Sequence, residues 1–423
     1  MHDHLAGHVV VRRRGRGQGQ RAKGQGGGEE NAGEHWLYGA HRSVRTHEQA
    51  AAAEVVTACV TGATGFIGAH VTRLASEAGE LVRCTYRDEG RLGRLSGTDV
   101  EPVKADVLDR AALRRAFRGC ETVFHCAGYV GSRPAEEVWR VNALGPRLAV
   151  EAAAAEEVRR VVVTSSVAGI GPAPPDRPGT EDDFYRGGGL GLTYPDAKHE
   201  GEAEALAAGA RLGIDVVVVN PSYVFGPALD RSTPGETSSR MIGNYLRGRL
   251  PAIVDGQTNA VDVRDVAKGH LLAAERGTPG ERYVLGGHDL SWVELFERVA
   301  RLSGVRNPLV VLPPETAAVA RVAEGIGLPG LIPAEGLVLM AQNWRYSSRK
   351  ARRELGYRAR PLDRTLSDTI EWYRELIDSG RLGAGRPSPL SLAAVGVRLA
   401  GRAGLLRGVR AAEGRVGRRL LAP

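Results

Sequence analysis

Tyr194 and Lys198 have the spacing of a proton-transfer pair within the stretch TYPDAKHEGEAEAL, residues 193–206. Four residues correspond to about one helical turn, so on a helix both side chains lie on the same face. A lysine cation beside a tyrosine favours the phenolate and lowers the tyrosine pKa from its usual value of about 10. Tyr194 could then exchange a proton with a carbonyl or alcohol oxygen.

The alternative is that the pair is an ordinary part of an amphipathic helix. The pattern predicts such a helix for the rest of the stretch, with Ala203 and Leu206 facing the core. Its polar face is then assigned to Glu200, Glu202 and Glu204. The chain holds only five Lys against 52 Arg. A chance Tyr–Lys pair at this spacing is therefore uncommon.

Hydroxyl groups precede this helix in the segment VVVTSSVAGIG. Ser165 and Ser166 follow the carboxyl end of an apolar strand, where open α/β sheets bind their ligands. A hydroxyl there can donate a hydrogen bond to a substrate carbonyl. The alternative is a turn that caps the strand, a role that suits Thr164 or Ser165.

A glycine-rich loop, VTGATGFIG, connects the first predicted strand to a helix. Gly62 permits a tight turn, Gly65 lets the backbone approach a pyrophosphate, and Gly68 allows close packing of helix on sheet. The helix N-terminus would then face the anion. The alternative is a plain glycine-rich turn. The residues expected to contact a dinucleotide are Gly62, Thr64, Gly65, Phe66, Ile67 and Gly68.

The end of the second strand, CTYRDEG, bears on the choice of cofactor. Arginine there suits the 2′-phosphate of NADP, whereas an acidic residue binds the ribose hydroxyls of NAD. We expect NADP, clamped by Arg87 with help from Arg91 or Arg94. In the alternative, Arg87 is solvated and Asp88 binds the ribose of NAD.

Two further strand ends are candidates for cofactor contacts. Asp106 and Val107 follow the third strand and would lie at the adenine ring. Ala127 and Gly128 follow the fourth strand and would pass along the cofactor. Either pair could instead be a simple turn.

Strands alternate with helices from Val55 onwards, and several strands are apolar on both faces. This pattern predicts an α/β protein with a Rossmann-type, doubly wound parallel sheet and a smaller C-terminal substrate-binding lobe. We assign residues 1–53 to a disordered tail and 54–224 to the Rossmann core. Residues 225–380 form the lobe, with strands and helices returning to the core, and 381–423 a basic tail.

The net charge of +8 is concentrated in the two tails. Residues 381–423 hold nine Arg and one Glu, so the body is slightly acidic. The body has no basic stripe with interleaved aromatics, which argues against a nucleic-acid partner. The C-terminal tail could lie on an anionic membrane surface, since Arg alternates with Leu, Val and Ala. Its alternative is a solvated tail.

The cysteines are scattered singly in apolar surroundings, which predicts buried free thiols and no metal site. They are Cys59, Cys84, Cys120 and Cys126. No apolar run approaches the ~20 residues that span a bilayer, and the N-terminus lacks a signal-peptide pattern. We therefore expect a cytoplasmic location. The oligomeric state stays open, with a homodimer as one option.

These motifs together resemble the extended short-chain dehydrogenase/reductase family, also described as NAD-dependent epimerases/dehydratases. The resemblance covers residues 55–376 and rests on TGATGFIG, HCAG, VNALG, TSS, the Tyr–Lys pair, NPSYVFGP and VDVRDVAKGH. The sequence is most similar to the dihydroflavonol-4-reductase-like branch, which includes bacterial hopanoid-associated sugar epimerases. The resemblance implies Ser166 as the catalytic serine, Tyr194 as acid/base and Lys198 as its partner. It further implies that Asn142 orders the site, and that the nicotinamide end is lined by Asn220, Pro221 and Ser222.

Two departures from the family narrow the chemistry. Dehydratases of nucleotide sugars carry an Asp-Glu pair after the catalytic hydroxyl, but here Val167 and Ala168 follow Ser166. Epimerases of nucleotide sugars carry an arginine that clamps the pyrophosphate, and Thr258 stands in its place. Threonine cannot neutralise a diphosphate. Both differences argue against a nucleotide-sugar substrate.

The sequence therefore predicts an NADP(H)-dependent oxidoreductase that reduces a ketone, or oxidises the alcohol, of a small non-nucleotide molecule. One alternative is an epimerase of a sugar-type substrate with tightly bound cofactor. An alternative of another class is a non-catalytic NADP sensor, although such relatives typically lose the Tyr–Lys pair.

Overall fold

The computed structural model describes residues 58–131, 133–230, 238–325, 333–383 and Leu399. The predicted tail 1–53 lies outside the described residues, as does most of the predicted tail 381–423. The proposals about disorder and membrane contact in those tails therefore remain predictions. Across the described residues, no helix is long and apolar enough to cross a membrane.

A seven-stranded parallel sheet forms the centre of the fold, with strand order β10-β6-β5-β4-β1-β2-β3. This is the order of a Rossmann-type sheet, and β1 and β4 lie side by side at its switch point. The predicted fold class is confirmed. Its strands are β1 (Ala58–Thr61), β2 (Val82–Tyr86), β3 (Val100–Lys104), β4 (Thr122–His125), β5 (Arg160–Thr164), β6 (Asp215–Pro221) and β10 (Arg282–Leu285).

Helices cover both faces of this sheet, because strands such as β5 are buried along their whole length and need apolar partners on each side. Residues of α1 and α7 pack on one face, and residues of α2, α4 and α5 pack on the other. Their bounds are α1 (Phe66–Glu77), α2 (Arg110–Phe117), α3 (Ala135–Trp139), α4 (Gly145–Ala155), α5 (Thr193–Leu212) and α7 (Val263–Arg276). A π-helical turn at Arg140–Leu144 lies between α3 and α4.

A second hydrophobic core holds the C-terminal elements together and contains most of the buried aromatic side chains there. Three strands pair in the order β11-β9-β7 and two more as β12-β8. The strands are β7 (Tyr223–Phe225), β8 (Ala252–Val254), β9 (Gln257–Asp262), β11 (His288–Ser291) and β12 (Val310–Leu312). The helices are α6 (Ser239–Leu246), α8 (Trp292–Ser303), α9 (Thr316–Gly325), α10 (Ala334–Met340) and α11 (Leu362–Asp378).

The four cysteines are free thiols, as predicted. The Cys59 and Cys120 side chains lie close together in the core of the sheet. Strand β1 and the turn before β4 meet there, which the sequence separation of the two residues conceals. Within the described residues, no cluster of three His, Cys, Asp or Glu side chains is arranged to hold a metal ion.

Candidate active site

The glycine-rich loop is folded tightly against the end of β4. Gly62 has a φ of +63°, and a Cβ there would lie 2.6 Å from the Ala127 Cα. A Cβ at Gly68 would lie 2.2 Å from the carbonyl oxygen of Gly62, and the Gly65 amide donates to that same oxygen at 2.8 Å. The glycines thus bring α1 and the loop together, and α1 begins without a side-chain cap at Gly65. Its first amides point where an anion binds best.

Arg87 is the exposed cation at the end of β2. Its side chain is 67% exposed and lies 3.6 Å from Glu137, a loose contact. Asp88 is otherwise engaged, because its carboxylate accepts the Gly90 amide at 3.0 Å and pairs with Arg91. Arg94 lies against the glycine-rich loop and donates to the Thr64 carbonyl at 2.8 Å.

The other strand-end candidates differ in their surroundings. Asp106 accepts the Leu108 amide at 2.9 Å, which forms a local turn, and Val107 is buried in the core below it. A Cβ at Gly128 would lie 3.2 Å from Lys198 Nζ and 3.3 Å from Asn142 Oδ1. The path after β4 therefore passes directly over two of the predicted catalytic side chains.

Ser166 lies at the exit of β5 and starts a 3₁₀ turn, Val167–Gly169. Its Oγ accepts the Ala168 amide at 3.1 Å, so the O–H hydrogen is left to donate. That hydroxyl forms a hydrogen bond with the Tyr194 phenol. Ser165 is instead buried, and its Oγ has no hydrogen-bond partner among the described residues.

Helix α5 carries Tyr194 and Lys198 on the face that meets this turn. Lys198 is buried, and its Nζ donates to the Thr164 carbonyl at 3.2 Å. The helix comes this close because of Gly201, where a Cβ would lie 1.9 Å from the Asn142 carbonyl oxygen. The π-helical turn presents Asn142, whose amide group donates to the Tyr129 carbonyl at 2.8 Å and accepts the Tyr129 amide at 3.0 Å.

The expected lowering of the Tyr194 pKa by Lys198 was wrong. Burial raises the pKa of Tyr194 to about 12, opposed by its hydrogen bond with Ser166 and reinforced by the negative charge of Glu335. Burial likewise lowers the pKa of Lys198 to about 8, and Cys126 and Glu202 oppose that decrease. For both groups, removal from water by burial is the largest cause of the shift.

Of the three residues predicted to line the nicotinamide end, Asn220 has the most direct contact with Ser166, the predicted catalytic serine. Its Nδ2 donates to the Ser166 carbonyl at 3.1 Å. Pro221 ends β6 and is buried. The Ser222 hydroxyl donates to Asn259 at 2.7 Å and therefore belongs to the smaller lobe.

Two side chains near the site were missed by the sequence-based reasoning. Tyr223 packs edge-on against Trp292, with ring centroids 4.9 Å apart, and its pKa is raised by burial and by Tyr194 nearby. Its place just after the end of β6 was the available signal. Glu202 was assigned to water but is buried, whereas Ala203, assigned to the core, is exposed. The Lys-x-x-x-Glu spacing was a signal for Glu202.

Apolar side chains surround the Tyr194 phenol. Tyr194 and Tyr223 pack against a core cluster that includes Val167, Ala168 and Leu192. Thr258 is fully buried on β9 and has an unpartnered hydroxyl within the described residues. Val167, Ala168 and Thr258, where this sequence departs from the pattern of the nucleotide-sugar enzymes, thus carry no charge.

A Rossmann-type sheet, a glycine-rich loop at its switch point and a Ser–Tyr–Lys group at the ends of β5 and α5 define a nicotinamide-dependent enzyme. The residues fit a dinucleotide, because the loop is a cradle that a Cβ would fill and α1 offers its uncapped N-terminus.

Residues 58–286 match the NAD dependent epimerase/dehydratase family, and the chain belongs to that family. A putative dihydroflavonol 4-reductase from Synechocystis sp. is 34% identical over 74% of this chain and 94% of its own. Sterol demethylase protein B from Methylococcus capsulatus is 31% identical over 76% of this chain and 99% of its own. A solved nucleoside-diphosphate-sugar epimerase from Pseudomonas aeruginosa has a TM-score of 0.63 and 31% identity, covering 78% of this chain and 99% of that one.

Proposed function

We propose that this protein is an NADP(H)-dependent reductase of a ketone on a small, uncharged, non-nucleotide molecule. The observation that carries the proposal is the convergence of Ser166, Tyr194 and Lys198 at one end of the sheet. Ser166 hydrogen-bonds Tyr194. The Lys198 Nζ donates to the carbonyl of Thr164, the residue that precedes Ser165. An apolar wall encloses the phenol.

The cofactor proposal rests on Arg87. It is exposed and only loosely paired, so it can turn towards a 2′-phosphate. Asp88 is occupied by its capping bond and by Arg91, which disfavours the ribose contact that NAD would need. Arg94, which donates to the Thr64 carbonyl of the loop and pairs with Asp230 at 3.9 Å, is a second arginine nearby.

In the proposed reaction the bound nicotinamide supplies a hydride to the carbonyl carbon. Tyr194 gives its phenolic proton to the carbonyl oxygen, because a phenol with a pKa of about 12 is neutral near pH 7. Ser166 donates a hydrogen bond to the same oxygen and stabilises the charge that develops there. Lys198, held at the Thr164 carbonyl, stabilises the phenolate left on Tyr194.

The choice of substrate class rests on the absence of charge at Val167, Ala168 and Thr258. A diphosphate buried against these side chains would lack the cation that it needs. The relative named a putative dihydroflavonol 4-reductase supports a reductase rather than a nucleotide-sugar enzyme.

A second candidate is an epimerase that oxidises and re-reduces one substrate. The related structure titled a nucleoside-diphosphate-sugar epimerase favours it, and the same Ser–Tyr–Lys group could serve both reactions. Cofactor that stays bound through purification and dialysis would support the epimerase.

The test is a screen of ketones with NADPH and NADH side by side, on the full chain and on Tyr194→Phe. We expect turnover with NADPH to fall at least about 100-fold in the variant, while NADPH affinity, measured by fluorescence, is unchanged. Tyr245→Phe is the matched control, since its hydroxyl bonds Val305 in the smaller lobe. Unchanged turnover in Tyr194→Phe would refute the catalytic assignment, and NADPH binding without any turnover would favour the sensor.

A further inference from the structure

A buried hydrogen-bond network continues from the catalytic serine to the far side of α5. Asn220 Nδ2 donates both to the Ser166 carbonyl at 3.1 Å and to Glu202 Oε2 at 2.7 Å. Arg282 Nη1 donates to the other oxygen, Glu202 Oε1, at 2.7 Å. Glu202 is only 4% exposed and Asn220 is fully buried. A buried carboxylate is retained only where partners of this kind satisfy it.

Arg282 is itself fixed at the outer end of the network. Its guanidinium also donates to the carbonyls of Glu181 at 2.7 Å and Asp183 at 3.2 Å. Arg282 and Glu202 also line an open cavity of about 270 Å³ on the outside of α5. The network therefore runs from a solvated edge of the sheet to the catalytic turn.

We propose that Glu202 is a positioning residue, which holds Asn220 against the Ser166 carbonyl and is itself held by Arg282. This inference rests on the proposed function. Lys198 on α5 donates a hydrogen bond to the Thr164 carbonyl, and Asn220 donates one to the Ser166 carbonyl, two residues further along the chain. Glu202 joins Asn220 to α5, so the Lys198–Thr164 and Asn220–Ser166 hydrogen bonds are held at a fixed distance from each other. Ser166 therefore stays aligned with Tyr194.

The chemistry of the two amide acceptors makes the proposal specific. Both neighbours of Asn220 Nδ2 are acceptors, a carbonyl and a carboxylate, which fixes the orientation of the amide. In Glu202→Gln only one acceptor oxygen remains for two donors. If the remaining oxygen of Gln accepts the hydrogen bond from Arg282, the amide nitrogen of Gln faces Asn220. If Asn220 then turns over, the Ser166 carbonyl faces an oxygen and loses its donor.

The charged and titratable groups around the network come from several elements. Lys198 faces Glu202 on its own helix and Cys126 after β4, and it lowers the pKa of His125 on β4. On the other side, burial raises the Tyr346 pKa, Asp183 and Glu202 reinforce that increase, and Arg282 and Arg186 oppose it. Cys126 and Glu202 oppose the lowering of the Lys198 pKa by burial.

Two readouts test the proposal on the full chain. The first is NADPH-dependent ketone reduction, where we expect kcat in Glu202→Gln to fall at least about tenfold with NADPH affinity unchanged. The second is the Lys198 titration, followed by NMR after selective ¹³Cε-lysine labelling. We expect the Lys198 pKa to fall in Glu202→Gln and not in the control, because Glu202 opposes the lowering of that pKa by burial. The spectrum is simple because the only lysines are Lys23, Lys104, Lys198, Lys268 and Lys350.

Glu204→Gln is the matched control, a glutamate on the same helix that pairs with Arg147 at 3.2 Å near the surface. It should leave kcat and the Lys198 titration as in the wild type. A Lys198 pKa and a kcat in Glu202→Gln equal to those of Glu204→Gln would overturn the proposal. If the wild type reduces no ketone, the proposed function fails, and an unchanged Lys198 titration in Glu202→Gln would then count against the role of Glu202 as well.

Asn220→Ala provides a second variant if Glu202→Gln does not fold. It removes the Ser166 contact and leaves Glu202 paired with Arg282. We expect kcat to fall as in Glu202→Gln, with the Lys198 titration unchanged. A full kcat in folded Asn220→Ala would overturn the proposal, because the Ser166 carbonyl would then need no donor.

Discussion

Replacing Lys198 by methionine should stabilise the protein at neutral pH while it removes the cation from the proposed active site. Lys198 is 7% exposed, and burial lowers its pKa from 10.5 to about 8. That difference corresponds to about 3 kcal/mol, at about 1.4 kcal/mol per pH unit. Methionine has a similar length and no charge to desolvate.

The sign of the pH dependence follows from proton counts. The unfolded chain keeps the lysine proton up to a pH of about 10.5, whereas the folded protein releases it near pH 8. Between these values the unfolded state binds more protons, so wild-type stability rises with pH. Below pH 8 the full desolvation penalty of the cation applies. The stability advantage of Lys198→Met should thus shrink by about 2–3 kcal/mol between pH 7 and pH 10.

The assay is thermal unfolding of both proteins at pH 7 and pH 10 and equal ionic strength. For a fold of this size the shrinkage corresponds to about 4 °C in the difference between the two melting temperatures. Lys268→Met is the control, because Lys268 is exposed on α7 and should show no such trend. A Lys198→Met difference that is the same at both pH values would refute the buried-cation reasoning.

Three further predictions concern the cofactor loop and the proton transfer. Gly62→Ala should lower NADPH affinity at least about tenfold and destabilise the fold by about 2 kcal/mol or more, since its Cβ meets Ala127 at 2.6 Å. Gly79→Ala is its control in fluorescence titration and melting, because Gly79 also has positive φ, +87°, but has open space around it. Arg87→Ala should raise the KM for NADPH about tenfold and leave that for NADH unchanged in steady-state kinetics; an equal change in both would contradict the phosphate role. Reductive kcat should fall as pH rises through about 8, where Lys198 loses its charge, and a profile flat to pH 10 would contradict the role of the cation.

The sheet was predictable because its strands carry their own signals. Apolar runs such as VVVVNP and turns with glycine at the right offset fix strand positions, and parallel pairing follows from the intervening helices. The two helices α9 and α10 were not predicted. They lie between prolines and glycines, and they are defined by packing on the smaller lobe's core rather than by a local pattern.

The orientation of α5 shows where periodicity alone failed. A 3.6-residue pattern assigns every glutamate to water, but Glu202 has Asn220 and Arg282 as partners from strands far away in sequence. Ala203 is exposed for the same reason. Helix α5 packs with Gly201 against Asn142 and with Glu202 against Asn220 on β6, which leaves Ala203 on the outer side. Such pairings depend on the tertiary structure and cannot be predicted from the sequence pattern of one helix.

The two perturbed pKa values together bear on the protonation states that the proposed reaction requires. For alcohol oxidation Tyr194 would have to act as a phenolate, and with a pKa of about 12 only about one molecule in 10⁵ carries it at pH 7. For carbonyl reduction the neutral phenol is the required form, and it is present at every pH below 11. Lys198, with a pKa of about 8, is still mostly charged at pH 7 and can stabilise the phenolate that the transfer leaves behind. Burial of the site thus keeps Tyr194 in the neutral form that the proposed carbonyl reduction uses as its proton donor.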